Sequence, residues 1–408
     1  MDSSAPTSQA RWQVALAQTH SNAAELFGRT EADQKRLGYF HTLREICQQP
    51  WTWLRTCDRM IASRENLRQI MEGVRSVTLT GSGSSQYAAE CVHFALQHDL
   101  GTRIESVSGG DLLTYGARAL PPDRPGLLIS MARSGDSPES RGAIELLLDT
   151  EPKLRHVVVT CNEQGSLTKA WRDTAKVHVI TLPSETNDQS LVMTSSFTNL
   201  LLAARFVGML EKPDEYVRLC RRVSEIAKEL LATQFDALAE TAKSSFERVV
   251  FLGSGARFGA SREAALKMLE MTAGRVTTLC ETYLAFRHGP MSYVQDKTLI
   301  VGFLSSDSIL RAYELDLLQE LDQKNLGLSK LLVGERIPHG ALRTGDVAIE
   351  CGGLAELGDQ EAVAIDVVVA QLLGFFRCLE EGLSPDSPSE DGIIQRVVGK
   401  FPLHNTPS

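Results

Sequence analysis

One pattern occurs twice in this chain. RSVTLTGSGSSQYAAECVHFAL at 75–96 returns as ERVVFLGSGARFGASREAALKML at 247–269, with Gly253 and Gly255 standing 172 residues after Gly81 and Gly83. Each copy reads as an apolar run of strand length, a glycine turn and an amphipathic run of helical length. Repetition at so long an offset implies one domain duplicated, so whatever fold the first half adopts the second half shares. The first copy continues with β-rich runs at 102–107, 126–131, 155–160 and 177–181, and the second with runs at 275–279, 297–304, 328–333 and 346–350. Helical stretches separate them. Five such strands per copy predict an α/β protein of two tandem domains, each a doubly wound five-stranded parallel sheet flanked by helices. The expected divisions are an N-terminal helical segment (1–72), a first domain (73–210), a helical connector (211–246), a second domain (247–385) and a C-terminal tail (386–408). Within the first segment, residues 1–10 are expected to fray. A helical pattern then breaks near Gly38 and stops at Pro50, and a further helix opens at Trp51.

Ligands on parallel sheets bind beyond the carboxyl ends of the strands. That edge carries GSGSS (81–85) after the first strand and ARSGDS (132–137) after the third, and the hydroxyl-rich Thr194, Ser195 and Ser196 precede another helix near it. In GLLISMARSGDSPESRG (126–142) a buried strand breaks into a loop carrying Arg133, Ser134, Asp136 and Ser137. Ser137 stands as N-cap and Pro138 as first helical residue. Free N–H groups, the helix dipole and two serine hydroxyls can together hold a phosphate ester. Alternatively, Ser137 only caps its helix; this stretch alone leaves both readings open.

The formal net charge is −9, with 23% charged residues. No global basic field exists for nucleic acid or an acidic membrane, so an anionic ligand must be held locally. A small anionic substrate is expected. The eight cysteines are scattered without a CxxC pair, and the polar opening shows no secretory leader, which points to the cytoplasm. The most apolar stretch, 362–376, is interrupted by Asp366 and Gln371 and reads as a buried helix short of a membrane span. The glycine turns, with Glu105 further on, follow the order of a dinucleotide site. GSGSSQ lacks the third glycine, however, and GSGARFG has it one residue late, so the fingerprint is weak.

The copies differ where ligands would bind. Against ARSGDS the second copy has SSDS (305–308), without glycine, and it alone has Glu270 on its first helix and Arg287, His288, Gly289 and Pro290 after its second strand. One copy is expected to hold the substrate and the other to supply proton-transfer groups.

In that order, GSGSS, ARSGDS, EAALKMLE and RHGP resemble the sugar isomerase (SIS) family, which includes the isomerase half of glutamine-dependent glucosamine-6-phosphate synthase. REICQQPW (44–51), SMARSGDSPES (130–140), VMTSSFTN (192–199) and AFRHGP (285–290) are similar, more closely still, to the bacterial galactosamine-6-phosphate deaminase/isomerase family, often labelled tagatose-6-phosphate ketose/aldose isomerase. The resemblance implies two SIS domains and a sugar-phosphate substrate. It implies that Ser134 and Ser137 bind the phosphate and that Ser84 and Ser85 contact it. It also implies that Glu270 moves a proton between C1 and C2, and that His288 helps open the ring from a neighbouring subunit. Arg133, Thr194, Ser195, Arg287 and Arg396 complete the expected binding set. A homodimer or higher homo-oligomer with shared sites is expected, with no metal and no cofactor.

Chemistry accounts for these residue types. An amino-aldose 6-phosphate opens, loses its C2 proton to give an enolamine and regains a proton at C1; the ketimine then adds water and releases ammonia. One carboxylate near both carbons can shuttle the proton, and a histidine can exchange the ring-oxygen proton. Where the synthase tail carries a Schiff-base lysine this chain has Arg396, which stays charged and forms no imine, with Lys400 further on. That departure favours the ammonia-releasing direction. Two alternatives are a plain aldose/ketose isomerase or deglycase without amino-sugar specificity, and a non-catalytic sugar-phosphate sensor.

Overall fold

The computed structural model describes residues 8–389, 391–399 and 401–404. Among the described residues ten strands form: β1 (Ser76–Gly81), β2 (Arg103–Ser108), β3 (Gly126–Ala132), β4 (Arg155–Thr160), β5 (Val177–Thr181), β6 (Arg248–Leu252), β7 (Thr277–Glu281), β8 (Thr298–Phe303), β9 (Ser329–Gly334) and β10 (Val347–Glu350). All ten lie where the sequence places strands. They make two five-stranded sheets, ordered β2-β1-β3-β4-β5 and β10-β9-β8-β6-β7. Every pairing is parallel. The central strands β1, β3 and β8 are buried at every residue, as sheets covered on both faces require.

The helices, in chain order, are α1 (Ser8–Thr19), α2 (Ser21–Gly28), α3 (Glu31–Arg36), α4 (Phe40–Ala62), α5 (Arg64–Met71), α6 (Ser84–Leu100), α7 (Gly109–Tyr115), α8 (Pro138–Thr150), α9 (Ser166–Trp171) and α10 (Ser195–Phe206). After the first sheet come α11 (Pro213–Ala242), α12 (Ala256–Met271), α13 (Ser308–Gln323), α14 (Leu354–Leu357) and α15 (Asp359–Glu380). Two compact units result. One holds the second sheet (residues 1–51, 189–192 and 222–391) and the other the first (residues 52–188, 193–221 and 392–408).

Three expectations on helices need correction or comment. Pro50 does not stop a helix, because α4 runs through it. Proline deprives the Ile46 carbonyl of its usual partner, and the Gln49 side chain supplies a donor to that carbonyl at 3.0 Å. The apolar run at 362–376 belongs to a 22-residue helix, α15, that is long and apolar enough to cross a membrane. Its apolar window is nonetheless 89% buried inside the protein, as suits a core helix packed on α12. Of the opening expected to fray, residues 1–7 lie outside the described residues and 8–10 begin α1.

Candidate active site

In the unit built on the first sheet, β3 delivers its turn at the carboxyl edge. The chain passes through Arg133–Ser137 before Pro138 opens α8. Gly135 has φ +66, which a residue with a Cβ adopts only under strain. Neighbouring side chains tie the turn back. Asn162 Nδ2 donates to the Ser134 carbonyl (2.9 Å), Ser166 Oγ to the Gly135 carbonyl (2.6 Å) and the Ser166 N–H to Asp136 Oδ1 (2.7 Å). Ser137 is the N-cap of α8, yet among the described residues its hydroxyl makes no capping hydrogen bond. The capping alternative is therefore not what this side chain does. The start of α8 thus has no cap from its own serine, an arrangement whose dipole and N–H groups can receive an anion.

Ser84 and Ser85 open α6, both almost fully buried. Ser85 Oγ lies 3.8 Å from Met193 Sδ, so the loop leading into α10 rests against the GSGSS turn. Thr194 and Ser195, fully buried at the start of α10, have their main chain already committed. The N–H groups of Thr194 and Ser196 donate to Asp188 Oδ2, each at 2.8 Å, and Ser196 Oγ does so at 2.5 Å. Burial pushes the Asp188 carboxyl's pKa up, opposed by the bonds from Ser196 and Thr194. The Ser195 carbonyl accepts from Asn199 Nδ2 (2.7 Å), which also reaches Thr52 Oγ1 (2.9 Å), while Thr56 Oγ1 donates to Asn199 Oδ1 (2.7 Å). Of these two helix starts, one is occupied by a carboxylate of the protein and the other, that of α8, is open.

The tail reaches this edge. Arg396 donates from Nε to the Asp188 carbonyl and from a terminal nitrogen to Asn187 Oδ1, both at 2.7 Å, and its own carbonyl accepts from the nearly buried Arg133. Further along, Leu403 packs so closely on α8 that a Cβ at Gly142 would come within 2.7 Å of it. Lys400 lies outside the described residues.

In the unit built on the second sheet, α12 carries Glu263, Lys267 and Glu270 on one face, at spacings of four and three. Lys267 is 1% exposed; its ammonium lies 3.5 Å from Glu263 Oε1 and donates to Glu270 Oε2. A buried ammonium is tolerated only with such partners. Glu270 itself keeps 22% of its side chain exposed. His288 ends a short 3₁₀ turn (Ala285–His288) and is exposed, while Phe286 beside it is buried. Gly289, at φ +125, redirects the chain before Pro290 opens the next turn. Arg287 is held through Nε by Glu320 Oε2 at 2.7 Å.

The second copy's counterpart of the GSGSS and ARSGDS turns is filled by its own side chains. Arg257, at the repeat position of Ser85, is wholly buried, 3.3 Å from Asp366 and 3.7 Å from Asp359, and donates to the Leu304 carbonyl. Asp307 caps α13, accepting from the N–H groups of Ile309 (2.9 Å) and Leu310 (3.0 Å). Glu314 accepts from the Ser305 N–H (2.7 Å) and Ser254 Oγ (2.8 Å). Burial raises both acids, Asp366 to about 7 and Glu314 to about 7.

Sequence reasoning missed Lys267, Glu263 and Asp188. The first two had a signal, a lysine between acids on an otherwise apolar helix face in EAALKMLE. Asp188 had none, since its partners follow only from a loop's path.

The AgaS protein of Streptomyces coelicolor is 37% identical over 373 residues, covering 90% of this chain and 95% of that protein. The D-galactosamine-6-phosphate deaminase AgaS of Shewanella sp. strain ANA-3 is 33% identical over 368 residues, covering 88% and 91%. The crystal structure of tagatose-6-phosphate ketose/aldose isomerase from Escherichia coli superposes with a TM-score of 0.79 at 32% identity, covering 87% of this chain and 95% of that one. No family model matches the sequence.

Proposed function

This chain belongs to the D-galactosamine-6-phosphate deaminase AgaS family, and from that premise we propose that it converts D-galactosamine 6-phosphate and water to tagatose 6-phosphate and ammonia. The observation that carries the reading is the Lys267–Glu270 pair: a partly exposed carboxylate beside a buried ammonium suits a base that must take one proton and return it. In this reading Ser134 and Ser137 hold the phosphate at the open start of α8, with Ser84, Ser85 and Arg133 beside them. The phosphate is remote from the bonds that change, and its binding energy positions the reacting end. His288 exchanges the ring-oxygen proton. Glu270 removes the C2 proton and returns it to C1, after which water adds to the ketimine and ammonia leaves. Thr194 and Ser195 line the sugar, and Arg396 fastens the tail over the phosphate edge. Arg287, tethered by Glu320, lends positive charge near the enolate oxygen. The eight cysteines, all among the described residues, form no disulfide with one another and seven are buried, which suits a reducing compartment, so the reaction is assigned to the cytoplasm.

The test is ammonia release with product identification across amino-hexose 6-phosphates. Tagatose 6-phosphate and ammonia are expected from galactosamine 6-phosphate. Release from glucosamine 6-phosphate alone, or isomerisation of neutral sugar phosphates alone, would overturn the assignment.

The exposure of His288 supports a homodimer in which this histidine enters the neighbour's site. Glu270→Gln and His288→Asn homodimers are then both nearly inactive. Refolded together in equal amounts, half the dimers are mixed and each has one intact site, so about a quarter of wild-type activity returns. A preparation shown to hold mixed dimers but lacking that recovery would put both residues in one chain's site.

A further inference from the structure

We infer that Asp188 is a positioning residue of the sugar site: its buried carboxylate fixes the hydroxyl turn Thr194–Ser196, and its main chain fixes the tail. The inference rests on the proposed function. Three donors, two main-chain and one hydroxyl, converge on the single atom Oδ2, while the same residue's carbonyl accepts from Arg396. The residue is 1% exposed, so water does not compete for these bonds. Thr194 enters α10 at φ −125, ψ −86, outside the extended conformation usual for an N-cap, and the carboxylate holds its N–H there. Met193, one residue earlier, rests on Ser85 at the GSGSS turn. A shift of the Thr194–Ser196 turn therefore moves the groups beside the sugar and leaves the α8 start, which is braced separately by Asn162 and Ser166, where it is.

That separation gives the test a readout that a general loss of stability would not produce. Asp188→Ala should lower kcat/KM for galactosamine 6-phosphate by at least about tenfold, because a small misplacement of positioning groups is costly. Competitive inhibition by inorganic phosphate, which needs only the α8 start, should stay within about twofold. Asp188→Asn keeps an acceptor oxygen for the turn and should recover most of the loss. Should Asp188→Ala fail to fold, Ser196→Ala removes one of the three bonds and should give the same pattern at about threefold. Equal loss of turnover and phosphate inhibition, or no change in either, would overturn the inference. An active wild type with unaffected variants sinks this inference alone, whereas a wild type that releases no ammonia sinks the proposed function and takes the inference with it.

Discussion

The two copies share a sheet, a glycine turn and a repeat register, and they treat the same edge in opposite ways. In the first copy Ser84 and Ser85 follow the glycine turn, and the α8 start is left uncapped by its own serine. In the second, Arg257 fills the matching place, paired with Asp366, and the Asp307 carboxylate sits on the start of α13 where an anion would otherwise go. The first helix of each copy differs too: Glu263, Lys267 and Glu270 stand where the first copy has Cys91, Ala95 and His98. In the proposed function the duplicated fold divides the work: one copy binds the phosphate, while the other fills the matching edge with its own charges and carries the acid–base face on its first helix.

If the second edge is truly structural, breaking it should cost stability and spare binding. Arg257→Met leaves Asp366 buried beside an apolar chain and should destabilise the unit by about 3–5 kcal/mol, with inhibition by inorganic phosphate unchanged in folded protein. Denaturant unfolding and inhibition assays check both halves of that statement.

A smaller effect is expected from pH. Asp366 and Glu314 both have folded-state values raised to about 7, so the folded state binds more protons than the unfolded chain between the ordinary carboxylate range and about 7. Stability from these groups is then fully present at low pH and lost as pH rises through about 7. Melting temperatures should therefore be higher at pH 5.5 than at pH 8 for this transition; Asp366→Asn should reduce the difference and Asp366→Asn with Glu314→Gln should flatten it. A slope that persists in the double variant would move its origin elsewhere.

The smallest effects sharpen the comparison most finely, since they concern matching N-caps. Asp307→Ala should cost about 1 kcal/mol of stability and leave KM alone, because that side chain makes two capping bonds. Ser137→Ala should cost under about 0.5 kcal/mol, because its hydroxyl makes none, while raising KM. An exchange of those outcomes would mean that the first copy's helix start is not the anion site.

The fold was legible because strand-length apolar runs and a 172-residue repeat are local signals, and sheet burial preserves them. Pro50 misled because its remedy is a side chain, Gln49, that no periodicity reports. Gly135, Ser137 and Pro138 announced their turn by residue type. The Asp188 clamp and the Arg396 tether were invisible for the opposite reason: each joins segments brought together only by the finished fold. Arg257 carries no sequence signal of its role, which follows only from its burial beside Asp366.

The division of labour between copies is tested most directly by measuring substrate binding and C2 proton exchange in two variants side by side. Glu270→Gln should bind galactosamine 6-phosphate within a few-fold of wild type while exchange with solvent falls by about a thousandfold. Ser134→Ala with Ser137→Ala should bind at least about tenfold more weakly yet lose no more than about tenfold in exchange rate once saturated, the part owed to positioning. The reverse pattern, weak binding without Glu270 and arrested exchange without the serines, would contradict the account.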